Sequence, residues 1–418
     1  MRAVAVTAVG VVCALGASPE AFADALRAHR SGASLVDGVR RPGAPLEGGA
    51  GFGPSEALWA CAVAPPVADL DGYPDDRKVA LLARALEAVL DGVDAPPERR
   101  ALMLGTGLSS VTPRELEEDV YPHLRDGSLS REGMVRDLAT DRVAPRRHLP
   151  ARGTAWAARR AGVRGPTGTT FSACAAGAEA IACAARAVAR GDADIAFAGG
   201  HDAMIHPLGV LSFEVLGALT RSVGRPFDKH RDGFMLGEGA AVLRLEAADR
   251  LTRPPLAWIL GAGSSLDAWG ITAPHPDGDG AYRSMVRALR DADVDPADVG
   301  WVNAHATATP LGDAAEAAAI RRLMGDRVRV SSLKGAVGHT LAAAGAVEAA
   351  ATVLAMAGDF IPGTVGTEEP DDLGVDVLIR PVDHAPRVAL SNSFGFGGQN
   401  ATLVFGRAEE GGWFGSRR

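Results

Sequence analysis

The sequence has 418 residues, of which 47% are hydrophobic and 22% are charged, a balance typical of a globular protein rather than a disordered chain. Its 43 basic and 51 acidic residues give a net charge of −8, which disfavours a general nucleic-acid binder because phosphates would not be neutralised over a broad surface. A chain of this length predicts one large intertwined domain or two similar halves.

The chain contains four cysteines: Cys13, Cys61, Cys174 and Cys183. They show no Cys-x-x-Cys spacing and no nearby histidine cluster, so we expect no metal site and a reducing, cytoplasmic setting. The apolar start of the chain is interrupted by Gly10 and Gly16, which favours a first core strand over a signal peptide. No uninterrupted apolar stretch of about 20 residues is present, so no membrane span is expected.

Short apolar runs predict buried strands at 4–12, 101–104, 195–198, 257–260, 301–304, 328–331 and 388–391. Stretches of helical composition lie at 78–90, 176–189, 282–292, 314–323 and 342–356. Alternation of strands with helices of this length indicates an α/β fold.

The order of these elements repeats along the chain. Alanine-rich sequences with a central glycine, 175–180 and 343–349, each open a helix shortly after a candidate reactive residue, Cys174 or His339. We therefore predict two halves, 1–253 and 254–418, divided where Pro254-Pro255 breaks the chain. Residues 105–165 are rich in turn and charge signals, and we expect them to form an insertion that caps the first half.

Cys174 lies between a strand-like run and a helix start, within Thr-Thr-Phe-Ser-Ala-Cys-Ala-Ala-Gly (169–177). The unpaired N–H groups at a helix start favour the thiolate and lower the pKa of a thiol. The alternative is a cysteine that is merely buried among alanines, which is our interpretation of Cys183 in the same helix.

His305 follows a short apolar strand, and Thr307 and Thr309 alternate after it. Alternation in an extended segment places both hydroxyls on one side, where they suit the amide groups of a long ligand; a turn rich in threonine and glycine is the alternative. Lys334 and His339 stand among small residues before a helix, although an ordinary loop would also give this pattern.

The segment 392–400, Asn-Ser-Phe-Gly-Phe-Gly-Gly-Gln-Asn, combines three glycines with Phe394 and Phe396. Bare N–H groups in tight turns suit an oxyanion hole beside an apolar gate. A phosphate-binding loop is the rival, but the Gly-x-Gly-x-x-Gly spacing and the following helix are missing.

Together these motifs resemble the β-ketoacyl synthase (ketosynthase) family, in particular its type II-like elongating branch. The resemblance runs from Val4 to Phe405 and includes Arg-Pro-Phe-Asp at 225–228, Gly-Glu-Gly at 237–239 and Thr-Ala-Pro-His-Pro at 272–276. It implies a thiolase-like α/β fold in which two βαβαβαββ halves form a layered α-β-α-β-α core.

The resemblance also implies the chemistry. Cys174 is expected to accept an acyl chain from the phosphopantetheine arm of an acyl carrier protein, and His305 and His339 to assist decarboxylation of a malonyl thioester and stabilise the enolate. The N–H groups of Cys174 and Phe396 are expected to hold the oxyanion, and no cofactor or metal is needed.

Supporting roles follow from the same resemblance. Lys334 is expected to set the electrostatics of the histidines with Glu348 as its carboxylate partner. Phe396 is the expected gate. The residues expected to contact substrate are Thr307, Thr309, Phe171 and Phe394. Asp313 is expected to support the site.

Two departures from the family pattern leave the substrate open. The loop between Leu219 and Arg225 is short, and residues 142–164 carry arginines where an apolar pattern is usual. A solvated face is our preferred interpretation of those arginines; contact with an acidic carrier protein is the alternative. Both departures favour a polyketide or polyene pathway over housekeeping fatty acid synthesis.

The partners expected are an acyl carrier protein and either a second copy or a chain-length-factor-like homologue, with no nucleic acid or membrane. A degradative thiolase is disfavoured because the glycine-rich C-terminal motif has no cysteine. A non-catalytic scaffold subunit is disfavoured because all four expected catalytic residues are present.

Overall fold

The computed structural model describes residues 1–41, 55–64, 76–107, 121–125, 128–139 and 149–408. Much of the predicted insertion at 105–165 lies outside these ranges. The described residues of this insertion form a short antiparallel strand pair within 124–129 and two α-helices. No helix within the described ranges is both long enough and apolar enough to cross a membrane.

The strands are β1 (Val4–Val12), β2 (Ser34–Arg41), β3 (Glu56–Cys61), β4 (Arg100–Thr106), β5 (Leu124–Arg125), β6 (Ser128–Leu129), β7 (Thr167–Thr170), β8 (Ile195–Ala203), β9 (Leu236–Ala247), β10 (Ala257–Leu266), β11 (Trp301–Asn303), β12 (Arg329–Ser331), β13 (Phe360–Ile361), β14 (Asp376–Val377), β15 (Val382–Asp383), β16 (Val388–Phe394) and β17 (Gln399–Arg407). The helices are α1 (Pro19–Arg27), α2 (Arg77–Glu87), α3 (Arg131–Ala139), α4 (Arg152–Arg160), α5 (Ala176–Arg190), α6 (Pro207–Val215), α7 (Asp279–Ala292), α8 (Pro310–Met324), α9 (Lys334–Val337) and α10 (Ala344–Ala357).

The principal sheet is built from one strand pattern used twice. Its order is β14-β12-β11-β16-β17-β10-β1-β9-β8-β4-β7, and β1 pairs with β10 at the centre. Outward from that pair, each half has two antiparallel neighbours followed by strands that run parallel to one another. The two ends of the sheet therefore share one strand pattern, and residues 253 and 254 lie in the connection between β9 and β10. The division into two halves at that point stays a prediction.

Helices pack in three layers against the two halves of the sheet. Helices α5 and α10 contact each other and strands of both halves, α2 covers β1, β8 and β9, and α7 covers β10 and β17. The three largest apolar clusters correspond to these contacts, with the most extensive one around the central helices. This is the layered α-β-α-β-α arrangement that the family resemblance implies.

The two central helices cross so closely that only glycine fits at the contact. A Cβ on Gly177 would lie 2.8 Å from the backbone nitrogen of Ala346, and a Cβ on Gly345 would lie 2.7 Å from that of Ala178. The repeated alanine-glycine pattern in the sequence therefore has a packing cause, since each half contributes one glycine to the same crossing.

Each predicted strand and helix overlaps an element of the structure, although β8 and β10 extend five and six residues beyond the strands predicted at 195–198 and 257–260. Two central strands, β9 and β17, are not predicted. Strand β9 carries Glu238, Arg244 and Glu246, all buried, and the ion pair between Arg244 and Glu246 joins Nε to Oε1 at 2.6 Å. Charged residues suggest an exposed segment, and only tertiary pairing allows them inside a sheet.

Replacing Gly345 by alanine is expected to destabilise the protein. The new methyl group would meet the backbone of α5, which cannot move aside as a flexible side chain can, so we expect a loss of about 1–3 kcal/mol in the free energy of unfolding. Urea denaturation followed by circular dichroism measures it. In the matched control, Gly224→Ala, the nearest atom would lie 3.5 Å from the new methyl, and equal losses in both variants would contradict the close crossing.

Candidate active site

Cys174 is held in a tight turn between β7 and α5. Ala173 has a φ of 46°, residues Ala173–Ala175 form one turn of 3-10 helix, and α5 begins at Ala176. The hydroxyl of Thr170 donates to the carbonyl of Ala176 at 2.7 Å and closes the turn. The side chain is only 7% exposed and lies at the start of a helix, as predicted.

The Cys174 thiol contacts one of the predicted histidines directly. The distance from Sγ to Nε2 of His339 is 3.1 Å. Nδ1 of His339 lies 3.4 Å from the Leu341 N–H, which makes Nδ1 the acceptor and assigns the ring proton of the neutral imidazole to Nε2. The proton on His339 therefore points towards the sulfur, where the reacting carbonyl of a substrate would lie.

His305 stands beside His339 in the same cavity, with its ring edge-to-face and the ring centroids 5.4 Å apart. Its backbone is fixed by Glu316. The Glu316 carboxylate accepts the N–H of His305 at 2.9 Å and of Ala306 at 2.7 Å, and it also accepts the side-chain amide of Asn392 at 3.0 Å.

Glu316 is the residue that the sequence analysis missed. It lies three residues after Asp313 on α8, and both carboxylates are buried. Acidic residues at i and i+3 occupy the same face of a helix, and that spacing was the available signal. It is ambiguous from sequence alone because such pairs usually face solvent.

Lys334 and Glu348 form a buried ion pair, as predicted. Lys334 opens α9 and Glu348 lies on α10, so the pair joins the loop before His339 to a central helix. The fixed positive charge acts on each reactive group: it lowers the pKa of Cys174, His305 and His339.

Burial determines the protonation of the reactive groups. It lowers the pKa of His305 and His339 well below the ordinary value, with Lys334 adding to the effect, so both imidazoles are neutral near pH 7. Burial raises the pKa of Cys174 to about 12, against the opposing effects of Lys334 and the Phe396 N–H. The predicted lowering of the thiol pKa is therefore wrong for this site, because desolvation of the thiolate by burial is the largest influence on it.

The reactive groups line a cavity of about 90 Å³ that extends to the surface. Cys174, His305 and His339 lie at its inner end, and Phe394 and Phe396 form part of its wall. Thr307 and Thr309 line its outer part with their hydroxyl oxygens 3.0 Å apart. Ala308 between them has a φ of 68°, so a turn, and not the predicted extended segment, brings the two hydroxyls together.

Two predicted residues are placed differently from the rest. Phe171 is 50% exposed and is not part of the cavity wall, because it follows the outermost strand β7, where one edge of the sheet ends. The expected contact of Phe171 with substrate therefore stays a prediction. Asp313 lies behind the wall and accepts the N–H groups of Phe227 at 2.8 Å and Ala308 at 3.1 Å, which braces the threonine turn.

Three of the described arginines of 142–164 form ion pairs. Arg160 pairs with Glu87 at 2.6 Å and Arg164 with Glu98 at 3.8 Å. The side chains of these two pairs are about half exposed or more, as expected for a solvated face, whereas the pair of Arg152 with Asp76 at 3.6 Å is largely buried. Arg142, Arg146 and Arg147 lie outside the described residues.

The fold and the site together define a thiolase-like enzyme class that uses a buried thiol beside two neutral histidines. Sequence models of the β-ketoacyl synthase N-terminal domain and C-terminal domain match residues 132–250 and 256–368, together more than half of the chain. The chain belongs to the β-ketoacyl synthase family.

Individual relatives agree with this assignment. The chain is 42% identical over 263 residues to 3-oxoacyl-[acyl-carrier-protein] synthase 2 of Rhizobium meliloti and 41% identical over 263 residues to the enzyme of that name from Vibrio cholerae. These alignments span 59% of this chain and only 62% and 63% of the relatives. The solved structure of the ishigamide ketosynthase/chain length factor matches 98% of this chain and 100% of its own, with 30% identity and a TM-score of 0.82.

Alkylation of Cys174 is expected to show the raised thiol pKa. Below its pKa a thiol gains about tenfold in thiolate per pH unit, so the iodoacetamide rate is expected to rise without a plateau between about pH 7 and pH 10. Intact-mass spectrometry follows the reaction, and Cys174→Ala corrects for the other cysteines. A plateau below about pH 9 would show that the buried pocket does not raise the pKa.

Glu316→Gln is expected to disturb His305 while sparing Cys174. An amide has one acceptor oxygen where the carboxylate serves three donors, so we expect decarboxylation of a malonyl thioester to fall at least about tenfold. Alkylation of Cys174 at pH 8 is expected to change less than about twofold, since the thiol contacts His339 instead. Equal losses in both assays, or none, would show that Glu316 does not position His305.

Proposed function

We propose that this chain is a β-ketoacyl-[acyl carrier protein] synthase that elongates carrier-bound acyl chains by decarboxylative Claisen condensation. The observation that carries the proposal is the contact of the Cys174 sulfur with Nε2 of His339 at 3.1 Å, with His305 beside it in one cavity. A thiol nucleophile together with two neutral hydrogen-bond donors suits an acyl thioester and an enolate in turn.

In the first step Cys174 attacks the carbonyl of an acyl thioester. The sulfur–carbon bond to the carrier breaks, the acyl group is bonded to Cys174, and the carrier thiol leaves with the proton that the cysteine gives up. The N–H of Phe396 interacts with the Cys174 sulfur, and with the N–H of Cys174 it would stabilise the oxyanion of the tetrahedral intermediate. The raised thiol pKa implies that the thiolate forms only as the substrate arrives.

In the second step a malonyl thioester loses carbon dioxide, and the electrons of the broken bond form an enolate. His305 and His339, which are neutral because burial lowers their pKa, donate hydrogen bonds to the enolate oxygen. The enolate carbon then attacks the acyl group on Cys174, the bond to sulfur breaks and the thiol is restored by a proton. The products are a 3-oxoacyl thioester and carbon dioxide, and no cofactor takes part.

The geometry of the wall suits a carrier-bound substrate. Thr307 and Thr309 offer two hydroxyls along the outer cavity, where the amides of a phosphopantetheine arm would pass. Phe394 packs against His305, with ring centroids 5.8 Å apart, and Phe396 stands beside Cys174 as the gate. The reaction is proposed to occur in the cytoplasm, in either fatty acid or polyketide and polyene synthesis.

Among the described residues β7 pairs along one edge only, and we propose that a dimer forms along its other edge. The strand pairs with β4 along one edge, and Phe171 follows it half exposed, so a second thiolase-like subunit could pair there and bury the ring. The similarity to a ketosynthase/chain length factor structure favours a heterodimer as the second form to test.

A scaffold role is the least favoured alternative, since Cys174, His305, Lys334 and His339 are all assembled.

Intact-mass spectrometry of the protein mixed with acyl carrier proteins bearing chains of graded length tests the proposal. We expect a mass gain equal to the acyl group in the wild type and none in Cys174→Ala. The preferred chain length would be read from the same series. His305→Ala is the matched control: it is expected to accept the acyl group yet lose at least about 100-fold in decarboxylation of malonyl carrier protein.

Absence of acylation in a folded protein, with and without a chain-length-factor-like partner, would contradict the proposal. Acylation that persists in Cys174→Ala would show that a different residue is the nucleophile.

A further inference from the structure

The hydroxyl of Ser332 joins two segments that carry reactive side chains. Its oxygen donates a hydrogen bond to the carbonyl of Ala306 at 2.8 Å and accepts one from the N–H of Lys334 at 3.3 Å. Ala306 directly follows His305, and Lys334 opens α9. A serine hydroxyl can form both bonds because it is a donor and an acceptor at once.

The peptide segment after His305 is held from two directions. The N–H groups of His305 and Ala306 donate to Glu316 on α8 at 2.9 Å and 2.7 Å, whereas the carbonyl of Ala306 accepts from Ser332, which follows β12. Ala306 and Ser332 are both buried. A backbone group that lost its partner here would not be compensated by bulk water, so each bond constrains the segment.

Helix α9 is in turn held against the chain at 364–365. The N–H of Ser332 donates to the hydroxyl of Thr364 at 3.2 Å. A Cβ on Gly335 would lie 1.8 Å from the carbonyl oxygen of Val365, so the backbone of α9 packs directly on that segment. Ser332 therefore holds the Ala306 carbonyl from a base that cannot easily move.

The position of Lys334 relative to the imidazoles matters for the reaction. After burial, Lys334 is the next influence that lowers the pKa of His305 and of His339, and both rings must be neutral to donate to an enolate. A displacement of about 1 Å at a reacting group can cost about a hundredfold in rate. The His305 ring and the Lys334 charge must therefore keep one relative placement.

We propose that Ser332 is a positioning residue for the decarboxylation step. Its hydroxyl keeps the peptide after His305 and the start of α9 in one arrangement, so that the imidazole donates to the enolate at a fixed distance from the Lys334 charge. Ser332 does not line the cavity, so it acts through His305 and not on the substrate. The inference rests on the proposed function and names a further residue on which its second step depends.

Decarboxylation of malonyl carrier protein and acylation of Cys174 separate this role from general damage. For Ser332→Ala we expect the kcat of decarboxylation to fall about tenfold or more while KM stays within about threefold, because the donors at the enolate are displaced. Acylation of Cys174 by an acyl N-acetylcysteamine thioester is expected to stay within about twofold, since the thiol contacts His339. Intact-mass spectrometry follows both reactions.

Two further variants separate the lost hydrogen bonds from lost packing. Ser332→Cys keeps a side chain of similar size but replaces the hydroxyl by a weak donor, so we expect it to lose decarboxylation as Ser332→Ala does. Thr7→Val is the matched control. It removes another buried hydroxyl, which donates to Glu246 at 2.9 Å outside the cavity wall, and it is expected to retain decarboxylation within about twofold.

Combination with His305→Ala tests whether Ser332 acts through the histidine. Adding Ser332→Ala to His305→Ala is expected to lower decarboxylation by less than about twofold further, because the group to be positioned is already absent. If Ser332 served only to stabilise the fold, the losses of the two variants would multiply. Circular dichroism confirms that each variant is folded, and Ser332→Cys takes the place of Ser332→Ala if the alanine variant does not fold.

Three results would overturn the inference: unchanged decarboxylation in Ser332→Ala, wild-type decarboxylation in Ser332→Cys, or losses that multiply in the double variant. Each of them would leave the proposed function standing. A wild-type protein that neither accepts an acyl group on Cys174 nor decarboxylates malonyl carrier protein would instead contradict the proposed function, and the role of Ser332 with it.

Discussion

The close crossing of α5 and α10 is the constraint on which the rest of this structure depends. Gly177 and Gly345 bring the two helix starts together, and the turns that precede those starts carry the chemistry. Counting back three residues from each glycine gives Cys174 in one half and Ala342 in the other. Ala173 and Leu341, one residue earlier in each case, both have positive φ, 46° and 52°. The two halves thus make the same strained turn, and only one of them holds the reactive thiol.

That crossing also explains why the reactive groups are buried. Backbones in near contact leave no room for solvent around the two turns, so the thiol, both imidazoles and the Lys334–Glu348 pair are all buried. Low dielectric keeps the histidines neutral and the thiol protonated, and it strengthens the hydrogen bonds offered to an oxyanion. Burial raises the pKa of the Glu348 carboxyl to about 7 against the opposing effect of Lys334, which shows how costly charge is in this interior.

Buried carboxylates accept hydrogen bonds from backbone N–H groups in and next to the loops that carry the reactive side chains. Glu316 fixes the backbone of His305, Asp313 fixes Ala308, and Asp202 accepts the N–H of Ala342 at 3.2 Å. Burial raises the pKa of Asp313 to about 7, so desolvation destabilises the charged form of this carboxyl group. Carboxylates that bind backbone N–H groups define the positions of loops that have no regular secondary structure of their own.

The sequence by itself determined the alternation of strands with helices and the repeated alanine-glycine pattern, because these depend on local composition and on short motifs. It also predicted Cys174, His305, Lys334, His339 and Glu348 as site residues, and the structure brings their side chains together. It predicted that Thr307 and Thr309 share a side through extended backbone, whereas a turn at Ala308, whose φ is 68°, brings their hydroxyls together. Tertiary structure alone decided the buried charges of β9, the role of Glu316, the exposure of Phe171 and the high pKa of Cys174. Each of these depends on which distant segments exclude water from a side chain, and that information is absent from neighbouring positions in the chain.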